Sequence, residues 1–406
     1  MEATAFNRLL SRRTLLGAAG AAGLLAALPG CGSSVGEQAA TTAGGSIKIG
    51  LVIPQAGVYA PLGTDMKRAW DLFLERHNNK LGNYTVTTVT ADEGETPQTG
   101  VPAVQKLLQS DRVDVLVGIV NSAVALGVKD MVVEAKKLLI VSNAGANDIT
   151  GKARTPYIWR TSFTNSQVSA VMGKVLAGTA PAGVFAIAPD YAAGAEAIAG
   201  FTGTFQAGGG KVLGPAKPAF GKTQDYQPFL SQIQTSGAQA TFCFFAGAEA
   251  VAFVKQYQQF GLSGKIPLYG SGFLTEGGVL TAQGDAALGV QTTLHYTSEL
   301  DNPANKEFRS AYEGKYQAVP TVYAVQTWDA ALVLDRALRK ATALDGDTLS
   351  KALESVGSVQ DSPRGPWTFE GQNPKQTFYL RKVEMKDGKP VNAVVRDMGV
   401  SGQPAT

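Results

Sequence analysis

Histidine and cysteine are scarce in this chain, with two of each in 406 residues. A metal cluster built on several histidines is therefore excluded, and a hydrolase triad is hard to assemble. His77 falls near the end of an expected helix and reads as exposed, whereas for His295 a ligand contact and a structural role both stand open. Cys243 lies inside the apolar run 240–245 and reads as core packing, not as half of an internal disulfide. Charged residues make up only 17%, and the formal net charge is +3. Without the three arginines and one glutamate of residues 1–30 the balance is 33 basic against 32 acidic, so no global field draws nucleic acid. Catalytic motifs are missing as well. No Gly-x-Ser-x-Gly elbow occurs. Gly221-Lys222-Thr223 imitates the end of a phosphate-binding loop, but Ala216 replaces the required glycine and no strand feeds it. Gly208-Gly209-Gly210 precedes a short strand where a dinucleotide fingerprint would follow one. No cofactor is called for and the chain is not expected to be an enzyme.

What is present begins with an export signal. Ser11-Arg12-Arg13-Thr14-Leu15-Leu16 is a twin-arginine start, and residues 15–28 contain only Leu, Ala and Gly, too short a run for a comfortable permanent span. The run ends at Leu28-Pro29-Gly30-Cys31, which resembles the lipobox of bacterial lipoproteins, with Pro29 an unusual occupant. Residues 1–30 are thus expected to be a twin-arginine lipoprotein signal peptide and Cys31 the lipid-anchored first residue of an exported protein. The segment 31–46, rich in Ser, Gly, Ala and Thr, reads as a flexible tether.

Hydrophobic content of 44% in a chain of this length allows a large core and two lobes. The organising unit is residues 47–79. Ile47, Ile49, Leu51, Val52 and Ile53 form a nearly continuous apolar run, the signature of a parallel strand covered on both faces. A loop at 55–63 follows, and then Met66, Ala69, Trp70, Phe73 and Leu74 recur at helical spacing, with Asp65 expected in the first turn. Further strands are expected at 84–90, 113–118, 138–142 and 157–161, and helices at 97–109 and 122–137. The rhythm restarts with strands at 183–188, 211–214, 240–245 and 267–270 separated by helices at 166–177, 192–207, 226–235 and 249–260. This alternation implies two doubly wound, Rossmann-like α/β lobes. An extended segment at 289–296, helices at 302–316, 321–341 and 348–356, and a tail of strands at 367–369, 377–385 and 391–396 complete the chain. Two turn sequences, Gly371-Gln372-Asn373-Pro374 and Asp387-Gly388-Lys389-Pro390, separate the tail strands.

Open α/β sheets bind ligands at the carboxyl ends of their strands. Those ends are the loops 55–63, 119–122 and 143–148 in one lobe and 189–194, 246–249 and 271–278 in the other. Facing rims would enclose a small molecule. Asn121, Ser122, Ala144, Gly145 and Ala146 are small residues whose backbone N–H groups can approach a carboxylate; ordinary helix capping is the other reading for Asn121, Ser122 and the 144–146 loop, and capping and ligand donation can coexist. Tyr59 and Tyr191, one on each rim, can sandwich an apolar body; otherwise each is a surface or lobe-packing residue.

The segments 49–78, SNAGANDITGKARTPYIWRTSFTN at 142–165, APDYAAG at 188–194, FGKTQDYQPFLSQI and LDNPANKEF at 300–308 resemble the leucine/isoleucine/valine-binding proteins, type I substrate-binding proteins of ATP-driven importers. The likeness covers roughly 47–395 and is nearest to members that bind aromatic and other carboxylates. It implies a closing two-lobe receptor with three crossovers, near 160–163, 294–298 and 356–363, so that the lobes comprise 47–161 with 296–356, and 162–295 with 357–400. It also implies that the ligand carboxylate lies on Asn121, Ser122, Ala144 and Ala146; in the resulting account Tyr59 and Tyr191 clasp the body and Phe273 with Tyr296 shapes the far wall. Two departures bear on the ligand. Ala146 replaces a hydroxyl residue, and Gly270-Ser271-Gly272-Phe273 lacks the glutamate that meets an amino acid's ammonium in the family. Phe273 suits an aromatic or apolar body, while Glu276, Asp190 or Glu249 would have to supply any replacement acid.

The expected protein is a monomeric, membrane-anchored solute receptor that hands a small carboxylate, aromatic acid or amino acid, to an ABC permease. A ligand-sensing module for a signalling partner is the alternative, and an extracytoplasmic enzyme a remoter one.

Overall fold

The computed structural model describes residues 44–404. The expected signal segment, the Cys31 anchor and the tether up to residue 43 lie outside the described residues. Two sheets organise the rest. The first has six strands, ordered Lys80–Leu81, Tyr84–Asp92, Ser46–Ile53, Val115–Gly118, Leu138–Val141 and Ile158–Arg160. All neighbours are parallel except the short edge strand Lys80–Leu81. Ser46–Ile53 runs between two partners, which is why Ile49, Leu51 and Val52 are fully buried and carry no polar alternation.

The second sheet has nine strands. Its parallel part runs Val212–Ala216, Val184–Ile187, Ala240–Cys243, Leu268–Ser271 and Gln291–Leu294. The tail then joins it: Asn373–Lys386 pairs antiparallel with Gln291–Leu294, and Trp367–Glu370 and Lys389–Ser401 add to it in turn. This gives the mixed α/β two-lobe architecture expected from the alternation of strands and helices.

Three local expectations need correction. The first helix spans Ala60–Arg76, not the stretch after Asp65, because Pro61 fits the first helical turn without losing a hydrogen bond. Asp65 consequently sits in the second turn, where its carboxylate accepts from the Tyr312 hydroxyl at 3.2 Å and Thr321 Oγ1 at 2.9 Å. Burial pushes its pKa up to about 6. The single helix expected at 122–137 is two, Ser122–Gly127 and Lys129–Ala135, broken at Val128 and stopped by the left-handed Lys136 (φ 48°). In the tail, only the first two residues of each expected turn sequence turn, Gly371-Gln372 and Asp387-Gly388; Asn373-Pro374 and Lys389-Pro390 already belong to the next strands. Apart from these, Met66, Ala69, Trp70 and Phe73 face the core as their spacing requires.

The segments joining the lobes are tied by buried arginines that periodicity cannot reveal. Arg364 donates to the Thr161 carbonyl at 2.7 Å and the Gln376 side chain at 2.6 Å, and its Nε lies 2.8 Å from Asp329. Arg381 donates to Glu276 at 2.9 Å, the Tyr296 carbonyl at 2.7 Å and the Gly272 carbonyl at 2.9 Å. Glu276 in turn accepts the Val322 N–H at 2.7 Å, linking its loop to the helix Val322–Leu338. Among the described residues, no helix is long and apolar enough to cross a membrane.

Candidate functional site

The carboxyl ends of seven strands converge on one cleft. Tyr59, Ser122 and Gly145 reach it from the first sheet, and Tyr191, Phe244 and Phe273 from the second. Asn143 follows the strand Leu138–Val141, Phe163 lies just past Ile158–Arg160, and Asn165 and Tyr323 complete the polar and aromatic lining. Six aromatic rings wall the space, and no Asp, Glu, Lys or Arg lines it.

Positive potential comes instead from the backbone. Six helices start at this cleft: Ala60–Arg76, Ser122–Gly127, Asn165–Ala177, Ala192–Ala207, Gly247–Gln259 and Val322–Leu338. Three of them, with Tyr59, Tyr191 and Ala246 at the N-cap, have no side chain capping the first turn. In the helix Ala60–Arg76 the first-turn N–H groups are already paired with the backbone and Pro61 has none, and the Ala248 N–H is taken by the Val58 carbonyl. The aligned helix dipoles still favour an anion there without a single cationic side chain.

The rims touch each other across the cleft. The hydroxyls of Tyr59 and Tyr191 are hydrogen-bonded at 2.8 Å, and the Ala248 N–H reaches the Val58 carbonyl at 3.4 Å. Glu196, on the helix Ala192–Ala207, accepts the Asn147 N–H at 3.0 Å and Asn165 Nδ2 at 2.8 Å. Tyr191 also stacks on Phe220, with ring centroids 4.3 Å apart and planes 13° from parallel. Burial, with Tyr191 alongside, holds the Tyr59 phenol well above its ordinary pKa, so the pair bridges as neutral hydroxyls. Gly145 is required by closeness: a Cβ there would lie 2.3 Å from Asn165 Oδ1 and 2.4 Å from the Phe163 ring.

Five of the nine expected ligand residues line the cleft: Tyr59, Ser122, Gly145, Tyr191 and Phe273. The other four are placed elsewhere. Asn121 caps its own helix, accepting the Ala123 N–H at 2.8 Å and donating to the Glu95 carbonyl at 2.9 Å. Ala144 and Ala146 are fully buried in the core of the first lobe, and the Ala146 carbonyl accepts from Arg160 at 2.7 Å. Tyr296 is fully buried too, its hydroxyl donating to Asn305 at 2.9 Å and its carbonyl taken by Arg381. The loop carrying Ser122 is itself held from below. Buried Glu93 accepts the Val120 N–H at 2.6 Å and the Asn121 N–H at 3.0 Å, and desolvation pushes its pKa up to about 8.

The sequence reading missed Asn143, Phe163, Asn165, Phe244 and Tyr323. Phe244 was lost because the expected strand 240–245 ends two residues early, at Cys243, which exposes Phe244 to the rim. Asn165 had a signal in Thr164-x-x-Gln167, a capping box marking a helix start at the cleft. Tyr323 enters from a helix far along the chain, outside any strand-to-helix loop. The three acids weighed as partners for an ammonium are engaged or turned away: Glu276 pairs with Arg381, Glu249 accepts the Gly221 N–H at 2.8 Å, and Asp190 is exposed. Burial raises the Glu249 pKa to about 7.

With this geometry in view, the likeness to known proteins can be stated. A profile described as "Periplasmic binding protein" matches residues 46–389. A Leu/Ile/Val-binding protein homolog 6 from Brucella melitensis is 31% identical over 370 residues, covering 88% of this chain and 93% of its own. A solute-binding protein of an ABC transporter from R. palustris, solved in complex with benzoate, is 35% identical with a TM-score of 0.81, covering 89% of this chain and 98% of its own. A second, from R. palustris BisB5 with 3,4-dihydroxybenzoic acid, is 31% identical with a TM-score of 0.83 over 88% of this chain and 99% of its own. A two-lobe fold, a cleft at the strands' carboxyl ends, and a match running through both sheets agree: this chain belongs to the periplasmic binding protein family.

Proposed function

We propose that this chain is the extracytoplasmic receptor of an ABC importer, lipid-anchored through Cys31 and capturing a small aromatic carboxylate between its lobes. One observation carries the ligand class: a cleft with six aromatic walls, neutral hydrogen-bonding groups and six helix N-termini contains no charged side chain. An anion with a flat apolar body is matched on both counts. An amino acid's ammonium would be buried without a partner, which is costly. The benzoate and dihydroxybenzoate bound by the two R. palustris proteins support the same class.

In this reading Ser122 and the neighbouring helix N-termini hold the carboxylate, while Tyr59, Tyr191 and Phe273 clasp the ring. The lobes comprise 47–161 with 296–356 and 162–295 with 357–400, and the pairing of the tail with Gln291–Leu294 is in keeping with that division. The ligand favours the closed arrangement by touching both rims, and a permease reads the relative orientation of the lobes. The protein works as a monomer and performs no covalent step.

The test is a thermal-shift screen of the purified protein. Aromatic acids should raise the melting temperature, since a ligand that binds only the folded form stabilises it. Stabilisation by aliphatic α-amino acids alone would overturn the assignment.

A further inference from the structure

A buried hydroxyl without a hydrogen bond is rare, because its lost hydration goes uncompensated. Two tyrosines among the described residues have such a hydroxyl, Tyr226 and Tyr323. Tyr226 is enclosed in the core of the second lobe, away from the cleft. Tyr323 is 2% exposed and lines the ligand cleft. Resting on the reading above, we propose that the Tyr323 hydroxyl is a specificity-determining group that hydrogen-bonds a hydroxyl on the ligand's ring, so that the site selects hydroxylated over unsubstituted aromatic acids.

Each of the other polar side chains of the cleft already has a partner within the protein. Asn143 Nδ2 donates to Gln326 at 2.7 Å, Asn165 Nδ2 to Glu196 at 2.8 Å, and the hydroxyls of Tyr59 and Tyr191 bond each other. Ser122 Oγ accepts from Asn165 at 3.4 Å and keeps its own hydrogen for the carboxylate. Among the polar side chains lining the cleft, Tyr323 alone has a buried hydroxyl with no hydrogen-bond partner in the protein at all. A ring hydroxyl is likewise donor and acceptor, so it satisfies Tyr323 in either direction.

The position of Tyr323 is fixed from several sides. It lies in the first turn of Val322–Leu338, and the Thr321 side chain caps that turn through the Ala324 N–H. The preceding Val322 N–H is held by Glu276 at 2.7 Å, and the Tyr323 carbonyl accepts from Thr327 at 3.0 Å. Its ring lies 6.1 Å from that of Phe273, a wall of the same cleft. Because its backbone is held and the residue is 2% exposed, a ligand lacking a matching group leaves the hydroxyl unpaired. Sites built to bond a ligand hydroxyl discriminate strongly against analogues without it.

Isothermal titration of the wild-type protein and of Tyr323→Phe with benzoate and the three monohydroxybenzoate isomers tests this. Wild type should bind the best isomer roughly tenfold tighter than benzoate, the worth of one good hydrogen bond. Tyr323→Phe should bring that ratio close to one, chiefly by weakening the hydroxylated acid. It should melt no lower than wild type without ligand, since it removes an unpaired buried group. Absence of a preference in wild type, or a ratio that survives the substitution because both acids weaken equally, overturns the inference. If wild type binds none of the four acids, the aromatic-acid reading itself has failed, which is a different result from benzoate binding with no role for Tyr323.

Discussion

The ligand cleft and the connecting segments beside it are both buried, yet they treat charge in opposite ways. The cleft has no ionisable carboxylate, lysine or arginine in its lining. Two buried arginine–carboxylate pairs lie against the connectors, Arg364 with Asp329 and Arg381 with Glu276. Both arginines also donate to backbone carbonyls of the connecting segments, Thr161 and Tyr296. Fixed charge is thus spent where geometry must be specified permanently, and the place where an anion has to come and go is left to dipoles and neutral donors. A buried counter-cation in the cleft would hold its anion more tightly but would be stranded when the site emptied.

The largest expected effect comes from breaking the charged side of this contrast. Arg364→Met leaves Asp329 buried without its cation, which should cost about 3–5 kcal/mol in urea unfolding. Adding Asp329→Leu should recover most of that loss, because no unpaired charge remains. A single substitution costing under about 1 kcal/mol would mean that the pair contributes nothing to holding the connectors.

Next is the insertion of charge on the neutral side. Ser122→Asp places a carboxylate at a helix start, where it favours the helix, so the fold should be preserved. The same carboxylate faces the bound anion. At about 4 Å and an effective dielectric constant near 20, the repulsion is about 4 kcal/mol, so benzoate affinity measured by titration should fall at least roughly a hundredfold. Undiminished binding would place the carboxylate away from this rim.

How far such contrasts could be read without coordinates depends on their physical origin. The sheet and the helices were legible because burial on both faces writes continuous apolar runs, as at Ile49 to Ile53, and packing on a sheet writes a helical stripe, as at Met66 to Phe73. The rim loops were legible because strand ends are topologically fixed, and they yielded Tyr59, Ser122, Gly145, Tyr191 and Phe273. What a loop's side chains face is set by backbone details with no periodic signature. Ala144 and Ala146 flank a lining glycine yet are fully buried in the core, and an arginine from the strand Ile158–Arg160 takes the Ala146 carbonyl. The long-range pairs Arg364–Asp329 and Arg381–Glu276 join residues 35 and 105 positions apart, and nothing local announces them.

The smallest effect sharpens the comparison at the point where the two rims meet. Tyr191→Phe keeps the ring and its stacking on Phe220 and removes only the hydroxyl bonded to Tyr59 at 2.8 Å. If the closed arrangement relies on neutral hydrogen bonds across the cleft, the lost bond should weaken aromatic-acid binding by about 0.5–1.5 kcal/mol, a few-fold to roughly tenfold in titration. The faster step should be dissociation, because closing contacts act after the ligand has docked. Both tyrosines remain neutral across physiological pH, so the loss should be the same at pH 6 and pH 8. A loss that grew at one end of that range would show that the phenol pair is coupled to an ionising neighbour, Glu196 across the rims or Glu249 beside Tyr191.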